Sequence, residues 1–230
     1  MRSPLSFAPD RAARRSAAAL LPQAQLQRQA APHPLFRPSP ARASQGHAMN
    51  PAYVSTFLGN RFYLGRPRID DVAIEDIAHG LAYQRRFNGQ TSAFYSVAQH
   101  SLMVMSLAPQ ALRLHALLHD AAEAYLGDMV KPLKFLFPEF GVLEARVMRI
   151  IGQRFALDLT RPDPAIKRAD RIALATEKRD LMPHSTEPWD YLEGIEALPD
   201  IIEPMSPQAA KEAFLEEFHR RAAHSAERDR

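Results

Sequence analysis

Apolar and polar residues alternate differently on the two sides of residue 49. Beyond it, apolar residues recur at three- and four-residue spacings, the period of one helix face. "IEDIAHGLA" reads as a helix from near Ala73, with Gly80 or Asn88-Gly89 as its stop. Ahead of it, 53–68 carries Gly and aromatic residues and reads as a short hairpin. Ser96, with Gln99 three residues on, forms a capping box that opens "VAQHSLMVMSLA". Pro109 ends that helix and opens the next, which runs to about Leu126 and stops at Gly127. Further helices are expected over about 139–157 and about 164–182, the latter capped by Asp163-Pro164 and ended by Pro183. Ser206-Pro207 repeats the start signal for a last helix over about 207–222, with Ala210, Phe214, Phe218 and Arg221 on one face. The pattern predicts an all-α bundle of about six helices with a Pro-rich excursion at 183–207. No internal repeat is visible.

Residues 1–48 lack this periodicity and are rich in Ala, Pro, Arg, Gln and Ser, so they are expected to be a disordered extension ahead of a single domain over 49–230. They hold seven Arg against one acid, a balance of +6, so with +3 for the whole chain residues 49–230 carry −3. The basic character therefore belongs to the extension, and nucleic acid is not expected as the partner. An Arg-rich, acid-poor segment also meets the description of an organelle transit peptide, and Met49 offers the alternative of an upstream start. With 46% hydrophobic and 24% charged residues and no run of about 18 apolar residues, the chain reads as a cytoplasmic protein without a membrane span. It has no Cys, so any metal must be held by His, Asp or Glu.

Such residues occur where a core helix should be apolar. "ALLHDAAEAYLGD", 116–128, carries His119, Asp120, Glu123 and Asp128. If the helices over 97–107 and 110–126 form an antiparallel hairpin, His100 and His119 stand at nearly the same height, because each is eight to ten residues from the turn. Asp170 shares a stripe with Ile166, Ala173, Leu174, Glu177 and Leu181, and a carboxylate on a buried face needs a cation. His100, His119, Asp120 and Asp170 thus form a candidate site for one divalent ion, with Mn, Fe, Co, Ni and Zn suited and Mg less so. His115 and His119 give a rival i, i+4 pair, but the Glu that should follow the first His of a zinc-protease motif is absent, so His115 is read as structural.

"SVAQHS", "ALLHDAAEAYLGD" and "IKRADRIALATE" resemble the ordered H, HD, D ligand signature of the HD-domain metal-dependent phosphohydrolases, nearest to the 5'-deoxynucleotidase-like branch, over most of 57–222. The resemblance implies an HD-domain helical bundle with the metal on His100, His119, Asp120 and Asp170. It implies an acid three residues beyond the HD Asp and another eight beyond it, here Glu123 and Asp128, and an upstream Arg near the phosphate, here Arg86, with Arg85 the less suitable neighbour. Glu123 would orient or deprotonate a metal-bound water; Asp128 would protonate the leaving alkoxide or bind sugar hydroxyls. Lys131 and Lys134 would add positive potential at the mouth. A homodimer is also implied, without a sequence signal of its own.

The expected function is hydrolysis of a small phosphomonoester such as a (deoxy)nucleoside 5'-monophosphate. The alternative is a non-catalytic, metal-stabilised nucleotide sensor or scaffold. No second His-rich block of the kind found in binuclear phosphodiesterases is present, which disfavours a phosphodiester.

Overall fold

The structure is a computed structural model that describes residues 52–161, 163–185 and 187–228. These belong to the second of two units into which the chain divides, Asn50–Arg230. The 1–48 extension lies outside the described residues. The described part is all-α in character, with eight α-helices and one two-stranded hairpin.

The hairpin pairs β1 (Tyr53–Ser55) antiparallel with β2 (Arg61–Tyr63), Val54 opposite Phe62. Two such short strands cannot stand alone. Phe62 anchors them, fully buried with its ring stacked 3.8 Å from that of Tyr125. α1 (Ile74–Tyr83) buries Ile74, Ile77, Ala78, Leu81 and Ala82, a continuous helical stripe. It ends at Tyr83, between the two stops the sequence offers. Gly80 lies within it, where α1 crosses the chain at Ala124: a Cβ there would stand 2.9 Å from the Ala124 carbonyl oxygen. After α1, Arg85 and Ser96 form an isolated bridge, and a 3-10 turn, Arg86–Gly89, fills the space between. Phe87 and Asn88 of that turn have φ of 53° and 51°, a left-handed conformation that side-chain-bearing residues adopt at a cost of about 1–3 kcal/mol.

α2 (Val97–Leu107) begins as expected, with Ser96 Oγ accepting from the Gln99 N–H at 3.1 Å. The other half of the capping box does not form. The Gln99 amide instead donates to Glu203 O at 2.7 Å and accepts from the Met205 N–H at 2.8 Å, fastening the chain ahead of the last helix to α2.

The expected helix over 110–126 is not continuous. A 3-10 turn, Gln110–Leu112, leads into α3 (Arg113–Leu117), which breaks at Leu118; α4 (Glu123–Leu126) resumes after a turn. His119 supplies the reason. Its backbone N–H and its Nδ1 both engage Ala116 O, the ring at 2.8 Å, claiming the carbonyl that an unbroken helix would give to Asp120.

α5 (Lys131–Leu136), not expected from the sequence, precedes α6 (Pro138–Phe155). α7 (Pro164–Leu181) starts with the Asp163 carboxylate accepting from the Ala165 N–H at 2.7 Å. α8 (Pro207–Arg228) extends past residue 222 and buries Ala210, Phe214 and Phe218. α1 packs on α8 and α4, and α2 packs on α3, α7 and α8, closing one apolar core around Ile77, Leu81, Val104, Leu117 and Phe214. Between α7 and α8 the excursion holds a 3-10 turn, Asp190–Leu192. It is stitched to α7 by the Leu198 N–H to Thr176 Oγ1 at 3.0 Å and the Ile202 N–H to Asp180 Oδ2 at 2.9 Å. Among the described residues no helix is long and apolar enough to cross a membrane.

Candidate metal centre

α2 and α3 pack side by side and bring the His100 and His119 ring centroids to 5.3 Å. α7 adds Asp170, whose Oδ1 lies 3.2 Å from His100 Nε2. One ligand atom from each of His100, His119 and Asp170 falls within 4.8 Å of the other two. Asp120 Oδ2 stands beside them, 3.2 Å from His119 Nε2 and 3.7 Å from His100 Nε2. Three of the four expected ligands, His100, His119 and Asp170, therefore meet, and the fourth, Asp120, flanks the two imidazoles. Asp170 is less covered than its stripe implies, its side chain being 40% exposed, so it forms the outer wall of the cluster.

The outward nitrogens of both rings are committed elsewhere. His100 Nδ1 donates to Glu177 Oε1 at 2.6 Å, and His119 Nδ1 donates to Ala116 O at 2.8 Å. Each Nε2 is buried, turned toward the carboxylates, and makes no hydrogen bond among the described residues. With Nδ1 donating, Nε2 is the nitrogen turned to the cluster, and once it gives up its proton it has the lone pair with which imidazole meets a metal ion. Two such nitrogens facing two carboxylates fit a divalent cation: the charges cancel, and the buried polar atoms gain a partner.

Glu177, whose only signal in the sequence is its place on the Asp170 stripe, organises the back of the cluster. It is fully buried, and while Oε1 takes His100, Oε2 accepts from Arg86 Nε at 3.2 Å and Nη2 at 3.1 Å. Burial would raise its pKa, but Arg86 and His100 hold it below the usual carboxylate range.

Comparison with known proteins places the chain in a family. Uncharacterized protein YfdR of Escherichia coli strain K12 is 40% identical over 169 residues, spanning 73% of this chain and 94% of the relative. The chain belongs to the YfdR family. Uncharacterized protein RCAP_rcc00048 of Rhodobacter capsulatus is also 40% identical, over 159 residues that span 64% of this chain and 81% of that protein. No family model matches the chain.

In this YfdR-family chain the other expected site residues surround the same cluster. Arg86 is buried, and two of its nitrogens serve Glu177; Nη1 is left 3.9 Å from Asp120 Oδ2. Its first contact is therefore a carboxylate, and one edge of the guanidinium faces the ligands. Glu123 is buried, with Oε1 3.5 Å from Lys134 Nζ and Oε2 without a hydrogen bond among the described residues. Lys134 itself pairs with Glu144 at 2.7 Å, so it is held between two acids rather than free at the mouth. Asp128 follows Gly127, whose φ of 89° turns the chain out of α4. Arg85, by contrast, turns toward Phe94, its guanidinium 5.5 Å from the ring centroid. His119, Asp120 and Glu123 open onto a cavity of about 320 Å³ walled by Met148, Leu159 and Ile166; His115 lines it too.

Electrostatics separate the acids. Burial alone would raise Asp120, but His119, His100 and Arg86 keep it well below the ordinary range. Asp170 is lowered as well, by His100 and His119 against the effect of burial. Glu123 moves the other way, pushed up by burial and then by the charges of Asp120 and Asp128. Asp128 also rises, through burial and the charge of Asp120, with Arg86 opposing. Burial and Arg86 both disfavour a charged His100, yet Glu177 and Asp170 outweigh them and push its pKa up to about 10. The centre thus sets Asp120 and Asp170, whose pKa values are lowered, beside Glu123 and Asp128, whose values are raised.

Proposed function

We propose that this protein is a cytoplasmic, HD-type metal-dependent phosphohydrolase that cleaves a small phosphomonoester such as a (deoxy)nucleoside 5'-monophosphate. The observation that supports the reading is the pair of buried Nε2 atoms of His100 and His119, which make no hydrogen bond among the described residues and turn toward Asp120 and Asp170, each ring fixed from behind through Nδ1. A divalent ion there would supply the Lewis acidity that makes water a nucleophile at neutral pH and offsets phosphoryl charge. The chain's own residues supply the rest. Glu123, whose pKa is pushed up by burial beside the cluster, is suited to exchange a proton at Oε2, and Asp128 to serve the leaving oxygen. Arg86 Nη1, kept in position by the two bonds to Glu177 and 3.9 Å from Asp120 Oδ2, would offset the negative charge of a phosphoryl oxygen. The cavity of about 320 Å³ onto which His119, Asp120 and Glu123 open lies at the lower end of the range for small-molecule sites.

Inorganic phosphate released from a panel of nucleoside 5'-monophosphates, with Co2+, Mn2+ or Mg2+ added and the bound metal identified by elemental analysis, tests this. Metal-dependent release is expected; folded, metal-loaded protein that releases none would overturn the reading. The sensor or scaffold alternative draws on one observation, the engagement of Arg86 by Glu177. Tight nucleotide binding without turnover would favour it.

A further inference from the structure

Lys131 and Tyr191 meet although they come from different segments, and Tyr191 lies within reach of the charges of Asp170 and Arg86. Lys131 opens α5, three residues after Asp128. Tyr191 sits in the 3-10 turn Asp190–Leu192, fastened to α7 by Arg171 Nε donating to Tyr191 O at 2.7 Å, one residue from Asp170. The Lys131 ammonium rests 4.1 Å from the Tyr191 ring centroid. A contact thus joins the segment that follows Asp128 to the turn fastened beside Asp170. The ring is braced by Trp189, stacked at 5.8 Å and 29°, and Trp189 carries Lys178 Nζ at 5.0 Å from its own centroid.

An ammonium held by an aromatic face keeps its positive charge and its donors, whereas one held by a carboxylate is neutralised. Lys134, one turn further along α5, is in the second state, between Glu144 and Glu123. Lys131 is in the first: it is exposed, with its ammonium on the Tyr191 ring.

We propose that Lys131 and Tyr191 form an anion clamp at the mouth of the metal cluster, in which Tyr191 is a positioning residue that holds the Lys131 ammonium where the phosphate of a substrate enters. The inference rests on the phosphomonoester reading for its ligand, a phosphate oxyanion, and on the cation–aromatic contact for its geometry. Tyr191 acts through its ring, so its hydroxyl is dispensable.

The test is titration calorimetry of inorganic phosphate into full-length, Mn2+-loaded protein, comparing wild type with Lys131→Met, Tyr191→Leu, Tyr191→Phe and the Lys131→Met/Tyr191→Leu double variant. Melting temperature and Mn2+ affinity are followed alongside to verify that each variant is folded and loaded. Lys131→Met and Tyr191→Leu should each weaken phosphate about five- to tenfold, in line with a partly exposed cation–aromatic contact that directs one charge. Tyr191→Phe should stay within about twofold of wild type, and the double variant should be no weaker than the weaker single. Tyr191→Phe as damaging as Tyr191→Leu, additive losses in the double variant, unchanged binding in the singles, or no phosphate binding by the wild type would each overturn the clamp. Absence of ester turnover in a protein that binds phosphate with the expected pattern would remove the phosphohydrolase reading and leave the clamp standing.

Discussion

Glu177→Gln keeps the shape of a buried side chain while changing what it offers. Both carboxylate oxygens of Glu177 accept from donors, Oε1 from His100 Nδ1 at 2.6 Å and Oε2 from Arg86 Nε and Nη2 at 3.2 and 3.1 Å. A glutamine has one carbonyl oxygen and one NH2, so in either orientation a donor faces a donor. If the oxygen stays with His100, the Arg86 charge loses its principal partner; if it turns to Arg86, the imidazole loses its anchor. Removing one member of a buried ion pair costs about 3–5 kcal/mol, which for a domain of this size lowers the melting temperature by roughly 6–20 °C. Loss of the group that orients a metal-binding imidazole also weakens metal by about 10- to 100-fold. Thermal unfolding followed by circular dichroism, and Co2+ affinity measured by competition with a chelating dye, read the two effects separately. Arg86→Met combined with Glu177→Gln should recover much of the stability, since the uncompensated charge is gone, without recovering Co2+ affinity. A Glu177→Gln protein that melts within about 2 °C of wild type and binds Co2+ as tightly would refute the account of how His100 is held.

Metal binding should release a proton. His100 has a folded pKa of about 10, above its ordinary value, so in the metal-free protein its charged form adds stability that is complete below the unfolded pKa and fades as pH rises through about 10. Across neutral pH a cation must displace that proton, and affinity should climb with pH up to the same limit; calorimetry in buffers of different ionisation enthalpy that detects no proton release contradicts this. Asp120→Ala should abolish metal binding, whereas Glu123→Ala should retain the metal and lose turnover; equal metal loss in both, by elemental analysis, would mean the roles are misassigned. Gly80→Ala would place a Cβ 2.9 Å from the Ala124 carbonyl oxygen and should destabilise the fold by about 1–3 kcal/mol in urea unfolding. Unchanged stability would mean that α1 and the start of α4 can separate freely.

The helix starts at Ser96, Asp163 and Pro207 were legible because capping is local: the residues that signal it lie within a few positions of the backbone they satisfy. The matching heights of His100 and His119 were legible as well, since they follow from counting residues away from a turn. The break between α3 and α4 was not, because it depends on the His119 ring turning back to Ala116 O, a rotamer choice that leaves no periodic mark. Gln99 shows the same limit from the other side: its local partner was the Ser96 backbone, and the chain 104 and 106 residues away took it instead.

The sequence by itself determined which residue types could meet a cation, the order in which helices present them, and the all-α class, for these are set by spacing along one chain. Only the tertiary structure decided that Glu177 fixes His100 from 77 residues away and Arg86 from 91, and that Tyr191 comes to lie under Lys131. A buried carboxylate must find its donors wherever packing brings them, and that partnership is a property of the closed core that no stretch of sequence contains.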